Sequence, residues 1–543
     1  MTLETKSIRE AACGHGIRST ALAVAAGMLA APVWAGSAKI GEDISVDYVL
    51  TVNYGLAKRV EKQAPELIDG PISPANGLPT TVNSDDGDRN FRKGALTTNR
   101  LSLLGEADIK RDNLGFFVRA TGFYDQAYRR GNDNDSPATV NKTGANNEFS
   151  ADARRFEGGR ARFLDAYAYG IFKLGEQASL SARVGNQVVQ WGESLFFPNI
   201  AGAQGPADAT KANLPGVEVK DILLPVGQVA ATLRLNPTVT LLGYVQYQYK
   251  ATELSSAGSY FSFADVIGPG AEFIRAAPGF NIPRADDIKP RNSGQWGLGT
   301  RVRVTDNTEV GLYHLRYHDK TPSVVTNFTA IPVAPFVVPT SYNIKYFDNI
   351  KLTGASVATK LGDVSVAGEV SYKQDVPVLV NSLAGPTATR ADAAQAQVNF
   401  LYIMGPTPLA AQTVFVGELG YLRVGKIQPV TVFGAPASTL TNTSESMALA
   451  LSVTPSYPNV VEGWDLSVPI SYAQQIKGKS PVAGAFGSLV GQGDRRLSIG
   501  ANFKYLSNLE LGFSYNAFLG SADLDKRPLA DRDYVALNAK YSF

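Results

Sequence analysis

The chain has 543 residues, with 51 Lys+Arg against 49 Asp+Glu, a formal charge of +2, three histidines and one cysteine. This balance argues against nucleic acid as a partner and against a polybasic membrane-surface patch, and so few His and Cys leave no donor set for a structural zinc site. Tyr and Phe number 23 and 25, Gly 52 and Met only 4, mean hydropathy is near zero, and no apolar run after residue 35 reaches the ~20 residues a spanning helix needs.

Lys6, Arg9 and Arg18 precede the small apolar run Thr20–Ala31, then Pro32 and Val33-Trp34-Ala35 in a small-x-small pattern. That layout predicts a secretory signal peptide over 1–35 and one domain over 36–543. Glu4 and Glu10 lie in the charged region, so removing 1–35 takes the formal charge from +2 to +1. Cys13 lies before the apolar run and leaves with the signal; without a disulfide framework, stability rests on backbone pairing and packing.

From residue 44 onward apolar residues recur at every second position, the period of a β-strand and not of a helix. Ile44, Val46, Tyr48, Leu50, Val52, Tyr54 and Leu56 form the first set; Leu101, Leu103, Gly105, Ala107 and Ile109 the second; Leu241, Gly243, Val245, Tyr247 and Tyr249 a third; Leu497, Ile499, Ala501, Phe503 and Tyr505 a fourth. Around 163–173 the alternation does not define an outward face. Short polar connections (111–113, 175–177, 236–237, 306–307, 362–363, 507–508) alternate with long irregular ones (58–94, 129–160, 191–227, 251–293, 319–345, 375–394, 423–443, 474–493, 520–530). A membrane protein without apolar helices needs a closed barrel, in which short turns occupy the periplasmic rim and long loops the extracellular one. The expected fold is an all-β transmembrane antiparallel barrel of about 16–18 strands. A separate plug or passenger domain is disfavoured, because strand patterns begin near residue 44 and continue to the end.

A barrel of this size encloses an aqueous lumen. Asp47, Arg100, Glu106, Asp108, Lys250 and Lys504 face inward on this reading, so both charge signs line the wall. The third long connection, 191–227, is expected to fold inward as a constriction, setting Arg183 and Gln187 on the wall against Trp191, Glu193 and Ser194 on the loop. The alternative, compatible with it, puts Trp191 in the interfacial aromatic girdle and has Glu193 pair with the arginine to pin the loop.

Alternation through Tyr313–Asp319 predicts His314, Arg316 and His318 on the lumen wall, with Tyr313 and Tyr317 outward. At i, i+4 on a strand the two histidines stand ~13 Å apart, too far for one metal ion, so neither metal nor cofactor is expected. No Gly-x-Ser-x-Gly elbow is present in a strand-to-helix context, and no enzyme is expected. Apolar groups in the long loops, Tyr260-Phe-Ser-Phe263, Phe273, Ile274, Phe280 and the stretch 331–339, suggest either mutual burial or an apolar vestibule for a lipid-like or aromatic solute. Finally Val535, Leu537, Ala539, Tyr541 and Phe543 alternate to the last residue, as in the terminal strand by which barrel-assembly machinery recognises its substrates, with the aromatic end at the lipid boundary.

Arg183-Val-Gly-Asn-Gln-Val-Val-Gln-Trp-Gly-Glu-Ser194, Leu214-Pro-Gly-Val-Glu218, Gly294-Gln-Trp-Gly297, Gly368-Glu-Val-Ser-Tyr372, Gly463-Trp-Asp-Leu-Ser-Val-Pro469 and Asp531-Arg-Asp533 together resemble a large proteobacterial outer-membrane β-barrel family catalogued as a domain of unknown function. The resemblance covers essentially all of 36–543. It implies transport across the outer membrane of a Gram-negative bacterium, with a periplasmic partner protein among the associations such families show. Passage of small hydrophobic or amphipathic molecules of lipid, steroid or aromatic type is the leading expectation. A general diffusion porin for polar solutes, or a non-conducting surface scaffold, is the alternative.

Overall fold

The computed structural model describes residues 36–330 and 337–543; the expected signal segment and part of 331–339 lie outside them. Consecutive strands pair antiparallel from Ile44–Arg59 through Tyr534–Ser542, and that last strand pairs back onto the first, from Thr51↔Ser542 to Arg59↔Tyr534. The result is a closed barrel of 18 staves. Closure removes the unpaired edges that would otherwise template aggregation. Two staves are composite. Pro469, which has no N–H to give, separates Trp464–Ser467 from Ile470–Lys477 along one stave. Gly36–Ile40 pairs with the edge of Ile44–Arg59 that Tyr534–Ser542 also uses, so the two ends of the barrel share one position, and the Phe543 N–H donates to Leu50 O at 2.9 Å.

Outward positions are apolar and open, among them Leu101, Leu298, Leu312, Val370, Val398 and Leu537. In water such a belt would be a large liability; against lipid it is the stable arrangement. Aromatic pairs mark the short-turn rim, with ring centroids 6.0 Å apart for Tyr402 and Phe415, 5.1 Å for Trp464 and Tyr505, and 4.7 Å for Tyr541 and Phe543. Trp296 and His314, 5.6 Å apart, stand outward toward the opposite rim. These are the girdles expected at the two interfaces.

Three readings change. First, 375–394 is not a loop: Val364–Ser382 and Gly385–Met404 continue as one tall hairpin, turned at Gly385 with φ +84°. Likewise the strand Gln412–Ile427 runs into 423–443, which also holds a small hairpin, Val430–Val432 with Ala435–Ala437. Second, the unreadable stretch near Phe163 contains a bulge, since Val118 pairs with Ala166 but Ala120 with Phe163. The extra residue switches which parity faces out: Phe163 is exposed, whereas Tyr167 points inward to a cluster with Phe117 and Tyr169.

Third, the strand Thr308–Tyr317 has the opposite facing to that expected. Tyr313, Leu315 and Tyr317 are buried inward, while Leu312 and His314 face out. His314 Nδ1 bonds Thr353 Oγ1 at 3.0 Å and Arg316 donates to Asn349 Oδ1 at 2.8 Å, so neither lines the lumen. The physical reason is that an apolar loop occupies the lumen beside this strand, and inward tyrosine and leucine bury against it. His318, one residue past the strand, is fully buried. It accepts the Asn349 N–H on Nδ1, which leaves Nε2–H to donate to Ser293 O at 3.0 Å. Both nitrogens are used in the neutral form, burial lowers its pKa, and its partners are backbone groups of the packed loops, so it too is away from the lumen wall.

Candidate functional site

The connection 188–225 leaves the strand Ser179–Gln187 and enters the barrel. At its root a ladder of buried amides spans adjacent strands. Gln187 Nε2 donates to Gln228 O at 3.1 Å, Gln228 Nε2 returns to Gln187 O at 2.8 Å, and Gln246 Nε2 reaches Gln204 O at 2.5 Å. The Trp191 N–H in turn donates to Gln204 Oε1 at 2.6 Å. The Trp191 ring lies 5.0 Å from Tyr244 and 6.0 Å from Tyr313, inside the barrel. The interfacial-girdle reading of Trp191 therefore fails.

Beyond Trp191 the backbone crosses to the far wall, where two mid-strand carboxylates receive it. Gly192, with φ +92°, makes the approach, and a Cβ there would collide with Glu369 Oε2. Glu369 Oε2 accepts the Glu193 N–H at 2.6 Å and its Oε1 the Ile200 N–H at 3.2 Å. Glu418 Oε2 accepts three consecutive N–H groups, those of Leu195 at 3.1 Å, Phe196, and Phe197 at 3.2 Å. Between these carboxylates the strand Gly385–Met404 presents amides at alternate positions. Gln395 donates to Pro198 O at 2.9 Å, Gln397 to Phe197 O at 2.7 Å and Asn399 to Glu193 O at 2.6 Å. The wall thus satisfies donors and acceptors of an irregular backbone that has no ladder of its own, as burial requires. Beneath it Phe197, Ile200, Leu315, Leu352 and Leu422 pack with Trp191 in one apolar cluster.

The second half of the loop is held by the opposite wall. Asp208, fully buried, pairs with Arg160 at 3.1 Å and Arg162 at 2.6 Å, and Glu253 completes the set at 2.7 and 2.6 Å. Asn53 donates to Pro215 O at 3.1 Å, Tyr534 to Asn213 O at 3.1 Å, and Arg119 to Lys220 O at 3.0 Å. Lys540 pairs with Glu218 at 2.9 Å. Gly216, at φ +71°, lets the chain pass Asn53 and Asn538 where a Cβ would sit within 3.1 Å of three of their atoms. One loop is therefore anchored on both sides of the lumen.

On the short-turn side the lumen remains polar and carries both signs. Lys110 bridges Asp47 at 2.8 Å and Asp108 at 3.1 Å, and Lys540 lies 3.2 Å from Glu510. Arg183 belongs to this half, exposed and inward, its guanidinium 5.9 Å from the Tyr167 ring.

The structure places Trp191, Glu193 and Ser194 on the inward loop, with Gln187 at its root on the near wall and the Glu193 backbone on the far wall at Glu369, and leaves Arg183 apart from them. Among the described residues Arg183 forms no ion pair with Glu193. Sequence reasoning missed Glu369, Glu418, Gln395, Gln397 and Asn399. Their signal was present: polar side chains at inward parity in mid-strand, with no compensating charge two residues away. Of the loop aromatics, Tyr260 and Phe261 pack with Phe518 and Tyr534, whereas Phe263 and Phe280 stay exposed.

The family model described as "Protein of unknown function (DUF1302)" matches residues 17–543. No curated protein matches the chain. Among solved structures, a BenF-like porin from Pseudomonas fluorescens Pf-5 is similar at 10% identity and a TM-score of 0.43, over 92% of this chain and 98% of that one. OccAB1 of Acinetobacter baumannii is similar at 11% identity and TM-score 0.42, over 92% and 96%. OpdK of Pseudomonas aeruginosa, solved with vanillate, is similar at 11% identity and TM-score 0.39, over 92% and 98%.

Proposed function

The chain belongs to this family of proteins of unknown function, and we propose that it is an outer-membrane channel, not an enzyme, whose passage is controlled by the inward loop 191–222. One observation carries the reading: that loop crosses the lumen and is fastened to opposite walls by side chains that bond its backbone. A loop held by a few hydrogen-bonded clasps is a two-state element, able to dock or to leave. The wall that docking covers is apolar, formed by Tyr244, Tyr313, Leu315, Tyr317, Leu352 and Leu422. The half-lumen beneath is wet and mixed in charge. A path apolar in one half and polar in the other suits small amphipathic molecules of steroid or aromatic type better than small ions. The apolar belt supports the outer-membrane setting, and the outward residues of Tyr534–Ser542, with Phe543, support recognition by barrel-assembly machinery.

Single-channel recording in planar bilayers tests this, with a bile salt as the amphipathic probe. The expected record is a mainly closed level with brief openings that the bile salt interrupts. A permanently open, ohmic pore indifferent to the bile salt would instead identify a general diffusion porin.

A further inference from the structure

Three long loops meet beside the long-loop ends of the first and last strands. The loop 60–95 brings Asp85 and Asp86, the loop 126–158 brings Asn141, and the loop 247–294 brings Asp265. One oxygen from each of the three aspartates lies within 4.8 Å of the others, and all three residues are buried, with exposures of 0, 4 and 0%. Twice the 2.3–2.6 Å of a calcium–oxygen bond spans such separations.

The polar partners of this cluster do not satisfy it. Asp265 Oδ2 accepts the Asp86 N–H at 3.1 Å, Asp86 accepts the Asn141 N–H at 2.9 Å and Asn134 Nδ2 at 3.3 Å, and Asp85 Oδ2 accepts Arg89 Nε at 2.5 Å. Asp85 Oδ1 and Asp265 Oδ1 are buried and accept nothing. A neutral residue repeats the pattern. Asn141, 2% exposed and bonded through its N–H to Asp86, also leaves its Oδ1 buried and without a partner, as does Asn90 at 5%. A small cavity lined by Asp86, Asn90 and Asn141 adjoins them.

Charge points the same way. The surrounding buried network holds five carboxylates, those of Asp85, Asp86, Asp88, Asp265 and Asp531. Three guanidiniums pair with it: Arg59 and Arg532 with Asp88 and Asp531, and Arg89 with Asp85. Two carboxylates are left without a guanidinium, and burying an unpaired carboxylate is unfavourable. Lys142, next to Asn141 on the same loop, lines that cavity as well, with its ammonium bonded to the carbonyls of Thr143 and Ala145 and to no carboxylate among the described residues.

We propose that Asp85, Asp86 and Asp265, with the amide oxygen of Asn141, form a calcium site that ties the three loops together. An all-oxygen, irregular, carboxylate-rich set suits calcium. Zinc would want nitrogen or sulfur ligands, and magnesium a near-ideal octahedron that keeps several waters.

Equilibrium dialysis of the folded full chain in detergent against radioactive calcium, after chelator treatment, tests the assignment. The expected result is one ion per chain, with Asp265→Asn and Asp85→Asn each weakening binding at least ~10-fold, since each removes a charged ligand. Heat-modifiable gel mobility shows whether each variant keeps its barrel. A second readout needs no variant: calcium added to the chelated wild type slows protease cleavage within 60–95 and 126–158. No bound calcium at millimolar concentration, or binding unaffected by both substitutions, overturns the proposal.

Discussion

Converting Glu369 and Glu418 to glutamine probes the clasp without changing its shape. In the docked loop these two carboxylates accept N–H groups from Glu193, Leu195, Phe196, Phe197 and Ile200. Hydrogen bonds to a charged acceptor contribute about 1.5–3 kcal/mol against roughly 1 for neutral ones. Neutralisation also relieves the desolvation that each buried carboxylate suffers when the loop docks, which offsets part of the loss. A net weakening of about 1.5–3 kcal/mol for the pair follows, and at 1.4 kcal/mol per tenfold this raises the open-to-closed ratio ~10- to 100-fold. Single-channel recording of E369Q/E418Q beside wild type gives that ratio directly. A folded double variant whose ratio stays within about twofold of wild type refutes the latch.

Trp191→Ala removes the ring between Tyr244 and Tyr313; a loss of about 3–5 kcal/mol is typical for such a truncation. It should free 191–222 to protease while the barrel keeps its heat-modifiable mobility. His314→Ala, on the lipid face, should leave conductance and its pH dependence unchanged, and a shifted conductance would restore a lumen position for that histidine. Burial, then the neighbouring Asp85 charge, raises the Asp86 carboxyl from 3.8 to about 7. Between those values the folded loops hold a proton that the unfolded chain has released, so in chelator the protease resistance of 60–95 should fall as pH rises through this window. With calcium present the proton becomes a competitor, and resistance should instead rise with pH.

The barrel was legible because its outer surface obeys one rule, an apolar residue at every second position, that lipid imposes on each strand alike. Reading failed where something inside the barrel replaced water as the inner neighbour. Tyr313, Leu315 and Tyr317 are apolar inward because Trp191 and its loop lie against them, which inverted the apparent facing of that strand. The bulge at 163–166 erased the parity for a local reason that composition does not show. The tall hairpin through Gly385 read as loop because one of its faces buries Val376, Val378, Ala391 and Ala393 inside the barrel, so its apolar residues do not follow the outward parity of the other strands. At the candidate site, the inward loop was foreseeable from its place as the third long connection. Its clasps, Glu369 and Glu418, lie 176 and about 220 residues from the N–H groups they hold, and pairing at that range is set by the register of the whole barrel. The Asp85, Asp86 and Asp265 cluster is hidden for the same reason, with 179 residues between Asp86 and Asp265.

Control of passage by the loop is tested most directly from the two sides of a membrane. The only cysteine, Cys13, precedes residue 36, so Arg183→Cys in the chain 36–543 places one thiol in the wet half-lumen on the short-turn side of the loop. With the protein inserted in one orientation, a membrane-impermeant thiol reagent is applied to each face in turn. Rapid labelling from the short-turn face and slow labelling from the long-loop face, accelerated by E369Q/E418Q, is the predicted result. Equal rates from both faces in the parent protein would contradict it.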